Sequence, residues 1–159
     1  MNTAIIYTSK HGTTLKVAQT IQSQINENAS IVNLDDNSAI DLKQFEAIII
    51  GSSVHAGAIP QNMQRFLSEN QTTLLTHKLG LFMCGMQPDK QQEFFEQNFS
   101  TELRSHSSSN GLLGGEFLFH KMNFIERFLV KRIAKVKESV SAIKTDQIEL
   151  FCQQWNTIS

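Results

Sequence analysis

The sequence predicts an α/β fold, a three-layer, doubly wound sheet of five parallel strands in the order 2-1-3-4-5, with one domain over residues 1–159. Three observations predict it. Short runs of apolar β-formers recur along the chain, too short for typical helices and suited to strands buried on both faces. Amphipathic helical patterns alternate with these runs, which implies parallel pairing through right-handed crossovers. Polar, glycine-bearing turns follow the first, third and fourth strands. In this order the switch point falls between strands one and three, so those turns should border one crevice.

The first strand is the run Ala4-Ile5-Ile6-Tyr7, followed by the turn Thr8-Ser9-Lys10-His11-Gly12-Thr13-Thr14. Leu15, Ala18, Ile21 and Ile25 then repeat at helical spacing until Asn26-Glu-Asn28 ends the helix. Ser30–Leu34 reads as the second strand, Asp35–Ser38 as a turn, and Ile40, Leu42 and Phe45 as a weak, short helical segment. Ala47–Gly51 is the clearest buried strand and runs into the loop Ser52–Gly57. Pro60 suits the first turn of the next helix, whose apolar side is Met63, Phe66 and Leu67.

The fourth strand, Lys78–Met83, opens into Cys84-Gly85-Met86-Gln87-Pro88-Asp89. A helix over about Lys90–Leu103 should turn Phe94, Phe95 and Phe99 inward, and Ser105–Asn110 reads as a polar loop. Leu112–Phe119 is the expected fifth strand, kinked at Gly114-Gly115. Met122–Lys137 follows as an amphipathic helix, with Met122, Ile125, Leu129, Ile133 and Val136 on one face and Arg127, Lys131 and Lys135 on another. Thr145 should cap a last helix carrying Ile148, Phe151, Cys152 and Trp155.

The turn after the first strand has the makings of a phosphate seat. Free N–H groups and the positive end of the helix dipole meet there. Gly12 lets backbone come close to a ligand, and Ser9, Thr13 and Thr14 each offer a hydroxyl. It is neither a G-x-x-x-x-G-K-[ST] loop, since it has one glycine with Lys10 before it, nor a G-x-G-x-x-G fingerprint. Four hydroxyls and one lysine suit a terminal monophosphate better than a magnesium-bound triphosphate. The same residues also describe an ordinary strand-to-helix turn with a hydroxyl cap.

The net charge of -1 and pI near 6.5 argue against general nucleic-acid binding. Cys84 and Cys152 form no CxxC pair, so neither a disulfide framework nor a metal site is expected, and unpaired thiols suit a reducing cytoplasm. MNTAIIYTSKHG lacks a basic region before its short apolar run, so no signal peptide is expected, and no stretch approaches the roughly 20 apolar residues of a membrane span. The expected location is the cytoplasm, with a peripheral position at the inner face of the membrane as its variant.

Over nearly its full length the chain resembles flavodoxin-like proteins. Thr8–Thr14 is similar to their [ST]-x-x-G-x-T phosphate loop, and Gly51-Ser52-Ser53-Val54-His55-Ala56-Gly57 to the loop after the third strand that lies against the flavin. Within that family it looks closest to the menaquinone-dependent protoporphyrinogen oxidases. The carriers of that likeness are the G-x-S-x-x-x-G loop, a G-x-x-x-[YF] strand end and the aromatic and basic helix segment Phe124-Ile-Glu-Arg127-Phe128-Leu-Val-Lys131-Arg132-Ile133.

The resemblance implies FMN as cofactor, its phosphate held by Ser9, Lys10, His11, Gly12, Thr13 and Thr14. It places the isoalloxazine between Ser52, Ser53, Val54, His55, Ala56, Gly57 on one side and Cys84, Gly85, Met86, Gln87 on the other. His55 stands where such proteins often stack an aromatic; the alternative is a solvated loop histidine. Gly57 tolerates a positive φ, so the Ala56–Gly57 peptide can flip and present C=O or N–H to the flavin N5. No catalytic side chain is needed, because the chemistry is the cofactor's. Cys84 reads either as a redox thiol beside the ring or as a small buried apolar group.

Three functions are then open. The chain is an FMN enzyme that dehydrogenates protoporphyrinogen IX or a similar bulky substrate with a quinone as acceptor, a flavodoxin carrier between protein partners, or an interaction module without cofactor. A carrier usually shows an acidic rim, whereas here only Asp89 lies near the third flavin loop. Six of the 14 Lys and Arg residues fall in Lys121–Lys137. Such a cluster suits porphyrin propionates or anionic lipid, and equally a solvated basic face.

Overall fold

The structure is a computed structural model that describes residues 1–37, 39–117, 121–133 and 140–158. Five strands, β1 (Asn2–Tyr7), β2 (Asn28–Asn33), β3 (Ala47–Ser53), β4 (Lys78–Cys84) and β5 (Ser109–Leu112), form one parallel sheet. Their order is β2-β1-β3-β4-β5, the doubly wound order the sequence predicts. The inner strands are apolar on both faces because helices cover both.

The two-residue alternation along the strands sorts the core. On one side Ala4, Ile6, Ile48, Ile50, Leu81 and Met83 pack against α2 (Gln61–Leu74), α3 (Gln91–Asn98) and α4 (Thr101–His106) through Met63, Phe66, Phe95, Phe99 and Leu103. On the other, Ile5, Ile49, Phe82 and Cys84 meet α1 (Thr13–Gln24) and α6 (Thr145–Thr157) through Val17, Ala18, Ile21, Phe151 and Trp155. The buried side of α1 is Thr14, Val17, Ala18 and Ile21, whereas Leu15 is only half-buried.

Several elements depart from the sequence-based expectation. The expected helix over about 90–103 is two, because Phe99 is extended (φ -110, ψ 128) and Ser100 starts α4 by accepting the Leu103 N–H at 3.3 Å. Of its aromatics, Phe95 and Phe99 are buried, but Phe94 is half-exposed. The segment with Ile40, Leu42 and Phe45 yields a single 3-10 turn, Leu42–Gln44. Pro60 precedes α2 instead of lying in its first turn, and Thr145 is the first residue of α6, not its cap. Such one-residue shifts lie within the fraying of helix ends.

The largest correction concerns the fifth strand. It is Ser109–Leu112, which starts in the expected polar loop Ser105–Asn110 and ends on the first residue of the expected strand; the Ser109 hydroxyl can be buried there because it donates to the Phe151 carbonyl at 2.8 Å. The expected strand Leu112–Phe119 ends at its glycines. Gly114 has φ 79 and its carbonyl accepts the Gly85 N–H at 2.9 Å, which turns the chain out of the sheet. Beyond it β6 (Glu116–Phe117) pairs antiparallel with β7 (Val140–Ser141) as a separate ribbon. Residues 118–119 of the expected strand lie outside the described residues.

Between β6 and β7 runs α5 (Phe124–Ile133). The expected helix reached Lys137, and residues 134–137 lie outside the described ones, Val136 included. Its supposed apolar face is not a core face. Of that face Met122, just ahead of the helix, is buried, but Ile125 is 67% exposed and Leu129 46%; Phe124 and Phe128, outside it, are 80% and 52% exposed. No helix among the described residues is long and apolar enough to cross a membrane.

Candidate functional site

The carboxyl ends of β1, β3 and β4 open on a cavity of about 370 Å³. Its wall includes Ser9, Lys10, His11, Thr13 and Thr14 from the first loop, and Ser53, Val54, His55, Ala56 and Gly57 from the second. Cys84, Gly85, Met86 and Gln87 come from the third. Two of the sequence-predicted residues, Ser52 and Gly12, are not part of the wall. Ser52 is buried, with its hydroxyl bonded to Thr8 Oγ1 at 3.0 Å, and Gly12 is the residue ahead of α1, with φ 91.

In the first loop the Gly12 N–H donates to Ser9 Oγ at 2.9 Å, which folds the turn tightly over the helix start. No side chain caps α1 and its first turn holds no acidic residue. Its leading amides and positive dipole end are therefore left for an external acceptor. Thr14 reinforces this. It is fully buried, and its Oγ1 has no hydrogen-bond partner. The Cys84 thiol beside it is too weak a partner to satisfy a hydroxyl.

Thr14 Oγ1, Ser53 Oγ and Gln91 Oε1 are the buried side-chain polar atoms without a partner among the described residues. All three residues line this one cavity, from three different elements. An unsatisfied buried polar atom costs about 1–3 kcal/mol, so three of them around one cavity indicate a polar ligand that completes them. Gln91 escapes notice in the sequence because a glutamine in a first helical turn normally faces solvent. Here its Nε2 donates to the Gly85 carbonyl at 2.7 Å and so turns the side chain inward.

The second loop is a hairpin. His55 and Ala58 exchange both backbone bonds, at 2.9 and 3.1 Å. Ala56 (φ 51) and Gly57 (φ 81) between them are both left-handed, the pattern of a type I′ turn. Ala56 is the sole non-glycine residue with positive φ among the described residues. Asn98 pins the turn by donating to the Gly57 carbonyl at 2.9 Å. His55 stands at the cavity rim, open on one side and crowded on the other. That crowding, with the charges of Lys10 and His11, pushes its imidazole below the ordinary range against the pull of Glu126.

Cys84 is fully enclosed, and burial pushes its thiol up to about 12. A thiol so held carries almost no thiolate and behaves as a small apolar group.

The sequence gives no sign of the remaining wall: Phe94, Gly115, Glu116, Met122, Glu126, Leu129 and Val130. Glu116 of β6 accepts from Thr13 Oγ1 at 3.0 Å and from Lys16 Nζ at 3.1 Å. Burial raises its carboxyl, but hydrogen bonds from Lys16, Ser141 and Thr13 outweigh that and hold it low. Glu126 of α5 takes Lys10 and His11. The helix thereby covers the cavity with apolar side chains and a carboxylate. The site is a largely apolar slot with hydroxyls and the uncapped start of α1 at one end.

Known proteins are similar to this chain in sequence or in fold. The protoporphyrinogen IX dehydrogenase [quinone] of Escherichia coli K12 is 19% identical over 145 residues, 86% of this chain and 80% of that protein. Oxidised flavodoxin 1 from Bacillus cereus, at 13% identity, covers 100% of this chain and 99% of its own with a TM-score of 0.59. Fusobacterium nucleatum flavodoxin bound to flavin mononucleotide, also at 13%, covers 67% of this chain and 66% of its own with a TM-score of 0.51. The flavodoxin domain family matches residues 4–143, and with the sheet order and the three loops in place the chain belongs to that family.

Proposed function

We propose that this chain is an FMN-dependent oxidoreductase that dehydrogenates protoporphyrinogen IX, or a similar bulky substrate, and passes the electrons to a quinone. The observation that carries the flavin reading is the convergence of Thr14 Oγ1, Ser53 Oγ and Gln91 Oε1, all buried and unpartnered, on one slot. FMN fits those donors and acceptors: a phosphate for the Thr14 hydroxyl and the uncapped amides of α1, and the polar edge of a ring for Ser53 and Gln91. When bound, FMN supplies electron or hydride transfer at its N5.

The chain supplies the rest. Ser9, Lys10, His11, Gly12, Thr13 and Thr14 would hold the phosphate. His55, Val54 and Met86 would flank the ring, while Leu129 and Val130 exclude water from above. Ala56 and Gly57 would offer a backbone hydrogen-bonding group toward N5. An enzyme is favoured over a carrier by the wall itself, whose carboxylates Glu116 and Glu126 are both paired with cations instead of forming a free acidic rim. The name of the Escherichia coli relative supports the substrate and acceptor. The flavodoxins that match over the full chain support the second reading, an electron carrier between redox proteins.

α5 also suits a place beside the quinone. Phe124, Ile125 and Phe128 face outward on the helix that carries Arg127, Lys131 and Arg132. Apolar and basic groups together fit the inner, anionic face of a membrane, with the body of the protein in the cytoplasm.

The purified protein is expected to be yellow and to release FMN on denaturation. Protein that stays colourless after refolding with excess FMN would overturn the flavin reading. Under anaerobic reduction, a single two-electron step followed by reoxidation with a quinone is expected. Stable one-electron stages without quinone turnover would leave the carrier.

Gly57→Val tests the turn against the ring. A Cβ at Gly57 would lie 3.0 Å from Phe94 Cε1, at a φ that a β-branched residue hardly adopts. The variant should shift the flavin reduction potential by tens of millivolts, where about 59 mV corresponds to a tenfold change for one electron. Potentials equal to wild type would remove the Ala56–Gly57 peptide from contact with the flavin.

A further inference from the structure

Glu126 is placed where packing asks for no carboxylate. It comes from α5, which lies outside the sheet layers, and reaches back across the cavity to the loop after β1. Its Oε2 stands 3.1 Å from Lys10 Nζ and 2.8 Å from His11 Nε2, with the glutamate side chain 21% exposed and the histidine 13%. A single carboxylate oxygen thus holds both the lysine and the histidine of the loop. Lys121 approaches the same turn from the other end of the segment, its Nζ 3.2 Å from where a Cβ on Gly12 would stand.

We propose that Glu126 is a tethered competitor for the phosphate subsite and thereby sets how strongly this chain prefers a phosphorylated flavin to its dephospho form. The inference rests on the flavin reading of the cavity. A phosphate that takes Lys10 and His11 arrives beside an anion already bound to both. Two anions at that spacing repel, and in a half-enclosed site water screens the repulsion weakly. Glu126 must therefore let go when the phosphate enters. The free energy of its two charge-assisted bonds is subtracted from FMN binding. Riboflavin has no phosphate and leaves the latch closed, so its affinity carries no such penalty.

The geometry makes release feasible. α5 turns Phe124, Ile125 and Phe128 to solvent and meets the body chiefly through Leu129 and Val130 at the cavity, so little apolar surface ties it down. Helices so lightly packed open at low free energy. Glu116 is a different case. It is held by Lys16 and Thr13 of α1 and by Ser141 across the β6–β7 ribbon, and its partners do not include Lys10 or His11.

The test uses full-length protein stripped of flavin, titrated separately with FMN and with riboflavin by the quenching of flavin fluorescence. Glu126→Gln keeps the shape and removes the charge. It is expected to tighten FMN about tenfold, the equivalent of 1.4 kcal/mol, and to leave riboflavin unchanged. Glu126→Ala should show the same gain in the FMN-to-riboflavin ratio even if the loss of lid contacts weakens both ligands. Wild type that binds FMN, with a ratio that is unchanged or lower in both variants, overturns the latch and leaves the flavin reading intact. Wild type and variants that bind neither flavin bring down both.

Discussion

Trp155→Ala should lower the unfolding free energy by about 3–5 kcal/mol, the range for truncating a fully buried aromatic. Trp155 is wholly buried on α6, and its ring lies over Gly80 of β4, where an added Cβ would come within 3.0 Å of Trp155 Cζ3. The indole Nε1 donates to Glu27 Oε1 at 2.7 Å, an oxygen that Thr3 Oγ1 also reaches at 2.7 Å. Lys78 covers the ring at 4.3 Å and donates to the Trp155 carbonyl at 2.7 Å. Truncation opens a void under the last helix and takes a donor from a carboxylate, which puts the loss toward the upper end. Chemical denaturation followed by far-UV circular dichroism measures it, since this is the single tryptophan of the chain. A loss under about 1 kcal/mol would mean that α6 is not the clamp the packing implies.

Thr14→Val should act in opposite directions on the flavin-free and flavin-bound protein. Its hydroxyl is buried and unpartnered, so replacing it with a methyl of the same shape should stabilise the flavin-free chain by about 1 kcal/mol. The same change removes a donor from the proposed phosphate seat and should weaken FMN about tenfold, as befits one hydrogen bond to a charged group. Thermal melts of the flavin-free protein and flavin titrations read the two arms. A merely structural threonine would lose stability in the first and leave the second unmoved. Either result would detach Thr14 from the ligand.

The strand runs Ala4–Tyr7 and Ala47–Gly51 were legible because a strand buried on both faces must be apolar throughout. The first three loops of the site were legible for a related reason. Strand ends in a doubly wound sheet face the crevice wherever the order reverses, so chemistry-bearing residues there declare themselves by position. β5 was not legible. Its Ser109 is polar in composition and buried in fact, with its hydroxyl answered by a carbonyl 42 residues away on α6. The break after Leu112 depends on Gly114 meeting Gly85, another contact between distant segments.

What the sequence alone determined is the alternation of strands and helices and the hydroxyl-rich turn at the head of the first helix, since each depends on residues within a few positions of one another; that no side chain caps this helix was decided by the structure. Only the tertiary structure decided that Gln91 turns inward, that α5 covers the slot instead of joining the core, and that Glu126 spans 115 residues to reach His11. Local periodicity records how much of a helix is apolar but not which surface it meets, and α5 meets a cavity.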